Sequence, residues 1–204
     1  VLHGALQQAV KERIIPYNPC DNCRIPPKEK KEMSIIPPEQ VDAYLQEAEK
    51  YGVLPMFMLE LTSGLRRGEL LALLWDDLDV KNCIISVSKQ VTRSDGELVV
   101  TEPKTKNSVR KVAVPKQTME MLVREHERHP DNPILFPSPR TGDYWSPDAL
   151  SRVNKKLLKA TGIDEKVRFH DLRHTYATLA IANGVDVKTL ASMLGHHSAG
   201  FTLD

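Results

Sequence analysis

Three cysteines are all that the 204 residues hold, and only Cys20 and Cys23 stand near one another. A disulfide framework is therefore excluded, and a reducing, intracellular setting is expected. The Cys20-Asp-Asn-Cys23 pair has the spacing of half a zinc site, yet no second Cys or His pair stands at a matching distance, so two free thiols in a turn are expected. Long apolar runs are also missing: nothing approaches the roughly 18 residues that a membrane span needs. No signal-peptide pattern is present. A charge excess is lacking as well, with 28 Lys and Arg against 27 Asp and Glu and a net charge of +1.

What remains is an ordinary globular composition, 41% hydrophobic and 27% charged, on a chain long enough to bury a full core. One domain with a fragment of another is expected. The near-zero net charge conceals an uneven distribution. Residues 37–80 carry three Lys or Arg against nine Asp or Glu, residues 81–116 carry eight against three, and residues 151–175 carry seven against three. If the two cationic segments converge in space they make a surface that follows a phosphate backbone; if not, they are solvated faces.

Leu2, Leu6, Ala9, Val10 and Ile14 share one helical face, which reads as the last helix of a preceding domain over residues 1–19. Pro16, Pro19 and Pro26-Pro27, followed by a charged run, make residues 20–36 a linker. The main unit, residues 37–204, starts at Pro37-Pro38-Glu39, where proline and a carboxylate suit a helix start. A buried helix follows over 53–62, broken by Ser63-Gly64, and a new apolar pattern runs from Leu70 to Trp75. Arg66 is thus predicted at the junction of two buried helices.

From Cys83 the period changes to two, with a hairpin predicted at Asp95-Gly96 and a third strand from Val109 to Val114. Between the second and third strands lies a basic turn with Lys104 and Lys106. Residues 117–129 read as a helix carrying an exposed His126 and His129. Ser146-Pro147-Asp148 starts a basic helix with Arg152, Lys155, Lys156 and Lys159 on its outer side. A further amphipathic helix after Gly184 ends at Gly195, with His196 and His197 immediately beyond.

The densest chemistry lies in His170-Asp-Leu-Arg-His-Thr-Tyr-Ala-Thr-Leu179. Leu172, Tyr176, Leu179 and Ala180 recur at the spacing of a buried helix face, while His170, Arg173 and His174 fall largely off that stripe. A guanidinium and an imidazole one turn apart can grip a phosphate and move a proton on it. The same letters place two histidines at i and i+4 with a carboxylate after the first, as in a metallohydrolase helix, with His196 or His197 as a third ligand. Against that reading, Arg173 sits beside the site of the dication, and the acid is Asp where such sites use Glu.

Four motifs in order, Thr62-Ser-Gly-Leu-Arg66-Arg-Gly-Glu69, Pro103-Lys104-Thr105, His170-Asp-Leu-Arg173-His-Thr-Tyr-Ala177 and Leu194-Gly-His196, resemble the catalytic domain of the tyrosine recombinase, or phage integrase, family over roughly residues 34–204. The overall style is most like integrases of conjugative transposons. The resemblance implies a mainly α fold with a small antiparallel three-stranded sheet (α+β), preceded by the end of a helical core-binding domain. It implies a site-specific recombinase that cuts and rejoins DNA through a 3′-phosphotyrosine, with no cofactor and no metal.

By the same resemblance Arg66 and Arg173 stabilise the phosphate, His170 is the general base, Lys104 protonates the leaving 5′-oxygen, and His196 hydrogen-bonds the phosphate. Arg67, Lys106, Arg110, Arg152, Lys155, Lys156 and His197 are expected to contact DNA. His174 is left a structural hydrogen-bonding role. Expected partners are double-stranded attachment-site DNA and further copies of the chain, dimer to tetramer, with room for an accessory excision factor and no membrane. The implied location is the bacterial cytoplasm, at the nucleoid. The family's nucleophilic tyrosine follows Leu-Gly-His by about ten residues and is expected just after Asp204; none of Tyr17, Tyr44, Tyr51, Tyr144 or Tyr176 replaces it by motif. A DNA-binding regulator of the same fold without cleavage stays open as an alternative, as does a zinc-dependent hydrolase.

Overall fold

A computed structural model describes residues 1–24, 34–102 and 109–195. The chain divides into two compact units, Val1–Glu32 and Met33–Asp204. In the first, helix α1 (Leu2–Lys11) buries no residue of its own. Asn18 is buried and ties the unit together, donating to the carbonyl of His3 at 3.2 Å and to Gln7 Oε1 at 3.1 Å, and accepting from the amide of Cys20 at 3.0 Å. Residues 20–24 turn back within this unit, with the amide of Asp21 donating to Asn18 O and that of Cys23 to Cys20 O, both at 3.1 Å.

The second unit opens with a 3₁₀ turn, Pro38–Gln40, leading into α2 (Val41–Lys50), whose Tyr44 and Ala48 face inward. Helix α3 (Leu54–Ser63) is buried nearly all round and ends at Gly64, which adopts a φ of 58°. Such a left-handed cap costs little only for glycine. Helix α4 (Arg67–Leu71) is shorter than the apolar pattern to Trp75 predicts. The reason is a competing partner: Leu73 O accepts from the amide of Leu135 at 3.0 Å, the amide of Trp75 donates to Pro133 O at 2.9 Å, and Leu74 bridges Ile134.

Strands β1 (Leu78–Asp79), β2 (Ile84–Val87) and β5 (Arg110–Ala113) form an antiparallel three-stranded sheet in the order β1-β2-β5. The small antiparallel three-stranded sheet is present, and β2 and β5 lie in runs that the alternation singled out; the third strand is the short β1 and not a strand of the hairpin. The hairpin of β3 (Gln90–Ser94) and β4 (Glu97–Thr101) forms a ladder of its own, turning through Asp95 and Gly96 at φ 50° and 89°. Two successive positive φ values are what a two-residue hairpin turn requires. β3 lies against α4 at Gly68, where a Cβ would sit 2.7 Å from the carbonyl of Val91.

Helix α5 (Lys116–His126) follows, then α6 (Pro147–Thr161), started by Ser146 Oγ accepting from the amide of Ala149 at 3.1 Å. Sequence reading exposes His126 and His129; the structure half-buries both, and His126 stacks on Trp75 with centroids 4.1 Å apart. Helices α7 (Asp171–Ala182) and α8 (Val187–Leu194) complete the unit. Tyr44, Phe57 and Phe169 pack edge to face at 5.7 Å per pair in the core. A smaller cluster of Tyr176, Ala180, Leu190 and Leu194 fastens α8 to α7. Among the described residues no helix is long and apolar enough to cross a membrane.

Candidate active site

α8 ends in carbonyls that have no partner within the helix, and such a terminus carries partial negative charge. Three arginines from three other elements take up those carbonyls in succession. Arg110 Nε donates to Met193 O at 2.8 Å, Arg173 Nη2 to Leu194 O at 2.5 Å, and Arg66 Nη2 to Gly195 O at 3.5 Å. Arg173 also donates through Nη1 to Gly64 O at 2.6 Å, so the left-handed turn after α3 and the end of α8 together orient one guanidinium.

Arg173 is buried to 3% exposure, although helical spacing sets it off the apolar stripe. Its contacts come from loops and ends distant in sequence, which periodicity does not report. Burial, followed by the like charges of Arg66 and Arg110, lowers its pKa to about 10, so it stays cationic at neutral pH.

Glu69 is the anchor under this group, and the motif reading gave it no role. It occupies the third position of α4, accepting from the amide of Arg66 at 2.9 Å and from Arg66 Nη1 at 2.8 Å. Arg110 grips the same carboxylate at both oxygens, Nη1–Oε1 at 3.0 Å and Nη2–Oε2 at 2.9 Å. Burial pushes the Glu69 carboxyl up, but the hydrogen bonds and charge of Arg110, then those of Arg66, hold it below its usual value. The signal was available: a carboxylate three residues after Arg66 at a helix start is a capping position. Arg110 was expected at DNA; in the structure its side chain is 7% exposed and pairs with Glu69.

His170 stands at the N-cap of α7, on the exposed side, with its ring 5.5 Å from that of His174 and nearly perpendicular to it. Burial, His174 and Arg173 lower its pKa below the ordinary imidazole value, outweighing the opposite pull of Asp171. The ring is therefore neutral near pH 7 and able to accept a proton. Arg168, also missed, donates to Asp171 through its backbone amide at 2.7 Å, Nε at 3.0 Å and Nη2 at 2.8 Å, fixing the turn that presents His170. His174 makes a ring contact with His170 and no side-chain hydrogen bond among the described residues, unlike the structural role expected of it. Among these residues no three metal-ligating side chains stand together.

A cleft of about 710 Å³ opens beside these groups, lined by Arg66, Arg67, Arg93, Lys155, Arg168 and His170 among others. Parts of both cationic segments do converge on it. Arg67 is braced across to α6, donating to Ser151 Oγ at 2.7 Å and to Pro147 O at 3.2 Å. Arg152, Lys155 and Lys156 are exposed on α6. Lys104, Lys106, His196 and His197 lie outside the described residues.

The phage integrase family matches residues 35–203. The ICEBs1 integrase of Bacillus subtilis is 34% identical over 96% of this chain and 56% of its own length. A XerC-like tyrosine recombinase of Caldanaerobacter subterraneus is 30% identical over 95% of this chain and 56% of its own. The chain thus spans just over half the length of these curated relatives. In fold it is similar to the Tn1549 transposon integrase in complex with a circular intermediate DNA, with a TM-score of 0.86 at 22% identity over 98% of this chain and 70% of that one. It is also similar to the lambda integrase tetramer bound to a Holliday junction, with a TM-score of 0.69 at 21% identity, covering 97% of this chain and 56% of that one.

Proposed function

Because this chain belongs to the phage integrase family, we propose that it is the catalytic part of a tyrosine-type DNA strand transferase that inserts and excises a mobile element. The observation that carries this is the convergence of Arg66, at the N-cap of α4, and Arg173, on α7, on adjacent carbonyls beside a cationic cleft that also holds His170. Attack of a tyrosine on a phosphodiester places excess negative charge on the nonbridging oxygens. Guanidiniums held in advance stabilise it without reorganising.

Arg66 and Arg173 take that role. His170, neutral near pH 7, accepts the proton of the attacking hydroxyl. Lys104 gives a proton to the departing 5′-oxygen, and His196 hydrogen-bonds the phosphate. The phosphotyrosine conserves the energy of the cleaved bond, so rejoining needs no nucleotide cofactor. The attacking tyrosine is expected beyond Asp204. Arg67, Arg152, Lys155 and Lys156 would follow the DNA backbone, with Lys106 and His197 beside them. The duplex attachment site, pairing of copies up to a tetramer, an accessory excision factor, and a cytoplasmic, nucleoid-associated location belong to the same reading. The solved relatives bound to DNA as dimer and tetramer support the first two.

The test uses a protein that carries this chain with the residues that follow it, presented with a nicked attachment-site duplex that traps the covalent intermediate. A phosphotyrosine-linked complex is expected, abolished by Arg173→Ala, which weakens duplex binding without abolishing it. Binding without any covalent product would favour a regulator that kept the fold; wild-type trapping by Arg173→Ala would remove Arg173 from the chemistry.

A further inference from the structure

The apolar run 53–62 is interrupted by a single charged residue, Glu60, and α3 buries it completely, at 0% exposure. Neither of its carboxyl oxygens has a hydrogen-bond partner among the described residues. An ionised carboxylate without partners in an apolar interior is far more costly than a protonated one. Nothing in the proposed reaction uses this group, yet its neighbours are the site's own. Arg173 on α7 and Glu69 on α4 act on it electrostatically, and it in turn acts on Tyr44 of α2. α5, which also packs on α3, presents the neutral Thr118 to Thr62. Burial is the dominant influence and pushes the carboxyl up; Arg173 pulls it down and Glu69 pushes it up further, leaving it well above the usual range.

The charge count shows what this can do. Arg66, Arg110 and Arg173 set three positive charges against the one carboxylate of Glu69, a surplus of two while Glu60 keeps its proton and of one when it does not. A phosphodiester brings one negative charge to this cluster. We propose that Glu60 is a positioning residue acting through Arg173: as a neutral acid it leaves the guanidinium's charge to the DNA phosphate, and its ionisation withdraws that charge. The inference rests on the reading of Arg173 as a phosphate ligand. By linkage, phosphate binding must then hold the Glu60 proton more tightly, and loss of the proton must weaken the phosphate by the same factor.

The experiment combines two measurements on the intact chain. Carbon-13 NMR of labelled glutamate side chains follows Glu60 directly, with Glu60→Gln assigning the resonance. Titration of a labelled attachment-site duplex at fixed salt, between about pH 6 and pH 9 and so below the value of about 10 to which Arg173 is lowered, reads affinity. Glu60 is expected to stay protonated through neutral pH, and wild-type affinity to fall roughly tenfold more across the alkaline range than that of Glu60→Gln, a permanently neutral isostere. A Glu60 resonance titrating in the ordinary carboxylate range overturns the proposal. So does a Glu60→Gln profile that overlays the wild type. Arg173→Ala separates the two levels. Unchanged duplex affinity in that variant overturns the phosphate role beneath the proposal; lowered affinity with overlaid Glu60→Gln and wild-type profiles overturns Glu60 alone.

Discussion

Arg110 and Glu69 form a forked pair, closed at 2.9 and 3.0 Å, with side chains only 7% and 2% exposed. Such a pair replaces water on both ions, and either partner left alone stays buried and charged. It is also the link by which the β5 strand and the start of α4 hold Arg66 in place, since Glu69 accepts from Arg66 on the same carboxylate.

Arg110→Ala is therefore expected to destabilise the fold by about 3 to 5 kcal/mol, as breakage of a buried pair does. Lys155→Ala, on the exposed face of α6, is expected to cost almost nothing in stability. Salt dependence of DNA binding should show the reverse. Lys155→Ala lowers the slope of log affinity against log salt by about 0.9 if one phosphate contact is lost, and Arg110→Ala leaves it unchanged. Urea unfolding and binding at several salt concentrations check both, and a reduced slope for a stably folded Arg110→Ala would return Arg110 to the DNA surface.

Gly64→Ala is expected to be among the most damaging single changes near the site. At φ 58° a side chain is strained, and the added Cβ would meet Tyr176 Cδ1 at 2.4 Å and Leu194 Cδ2 at 2.8 Å. Backbone strain of about 1 to 2 kcal/mol comes first, and the clash pushes α7 and α8 away from the turn. Because Gly64 O accepts from Arg173, a loss of trapped covalent complex should exceed the loss of folded protein. Denaturation midpoints and trapping yields at a temperature where the variant is folded distinguish the two effects.

The acidic limb of cleavage should follow His170. Its folded pKa is lowered by burial first, then by His174 and Arg173, so the base form persists below the ordinary imidazole value of about 6.5. Cleavage rate is expected to rise with pH through that lowered value and level off before neutrality. Stability carries the same sign: where the unfolded imidazole is protonated and the folded one is not, the unfolded state binds more protons, so stability is lost as pH falls through the folded pKa. His174, lowered by burial and by Arg173 with Asp171 opposing, adds to this. A single-turnover pH profile that breaks above the ordinary imidazole value would exclude His170 as the base.

Much of this site is local enough to be legible in residues alone. Asp95-Gly96 announces its hairpin, Ser146-Pro147 starts α6, and His170 to Leu179 reads as the opening of α7 because each signal depends on neighbours within one turn. What depends on distant partners was not legible. The pairing of β2 with β5 spans the hairpin between them, and the end of α4 is decided by residues 133–135. Arg173 departs from its helical pattern for the same reason, since its burial is set by Gly64 and Leu194. Arg110 shows the limit of charge counting: a lysine- and arginine-rich segment fixes how many cations exist, but a strand's alternation sends some inward, here to Glu69.

Lys104 offers the sharpest chemical test of the proposed mechanism, because its task is a proton transfer that substrate chemistry can make unnecessary. A departing 5′-oxygen is a strongly basic alkoxide and needs a proton as the bond to phosphorus breaks. A 5′-bridging phosphorothiolate leaves instead as a thiolate, whose conjugate acid is several pKa units stronger. In a protein that carries this chain and the residues beyond it, Lys104→Ala should slow cleavage of the ordinary diester by about 10² to 10⁴, the usual worth of general acid catalysis, and leave the phosphorothiolate close to the wild-type rate. Arg173→Ala should slow both, since the charge on the nonbridging oxygens is the same in either substrate. Equal slowing of the two substrates by Lys104→Ala would assign the lysine to phosphate binding and leave the leaving group to another acid.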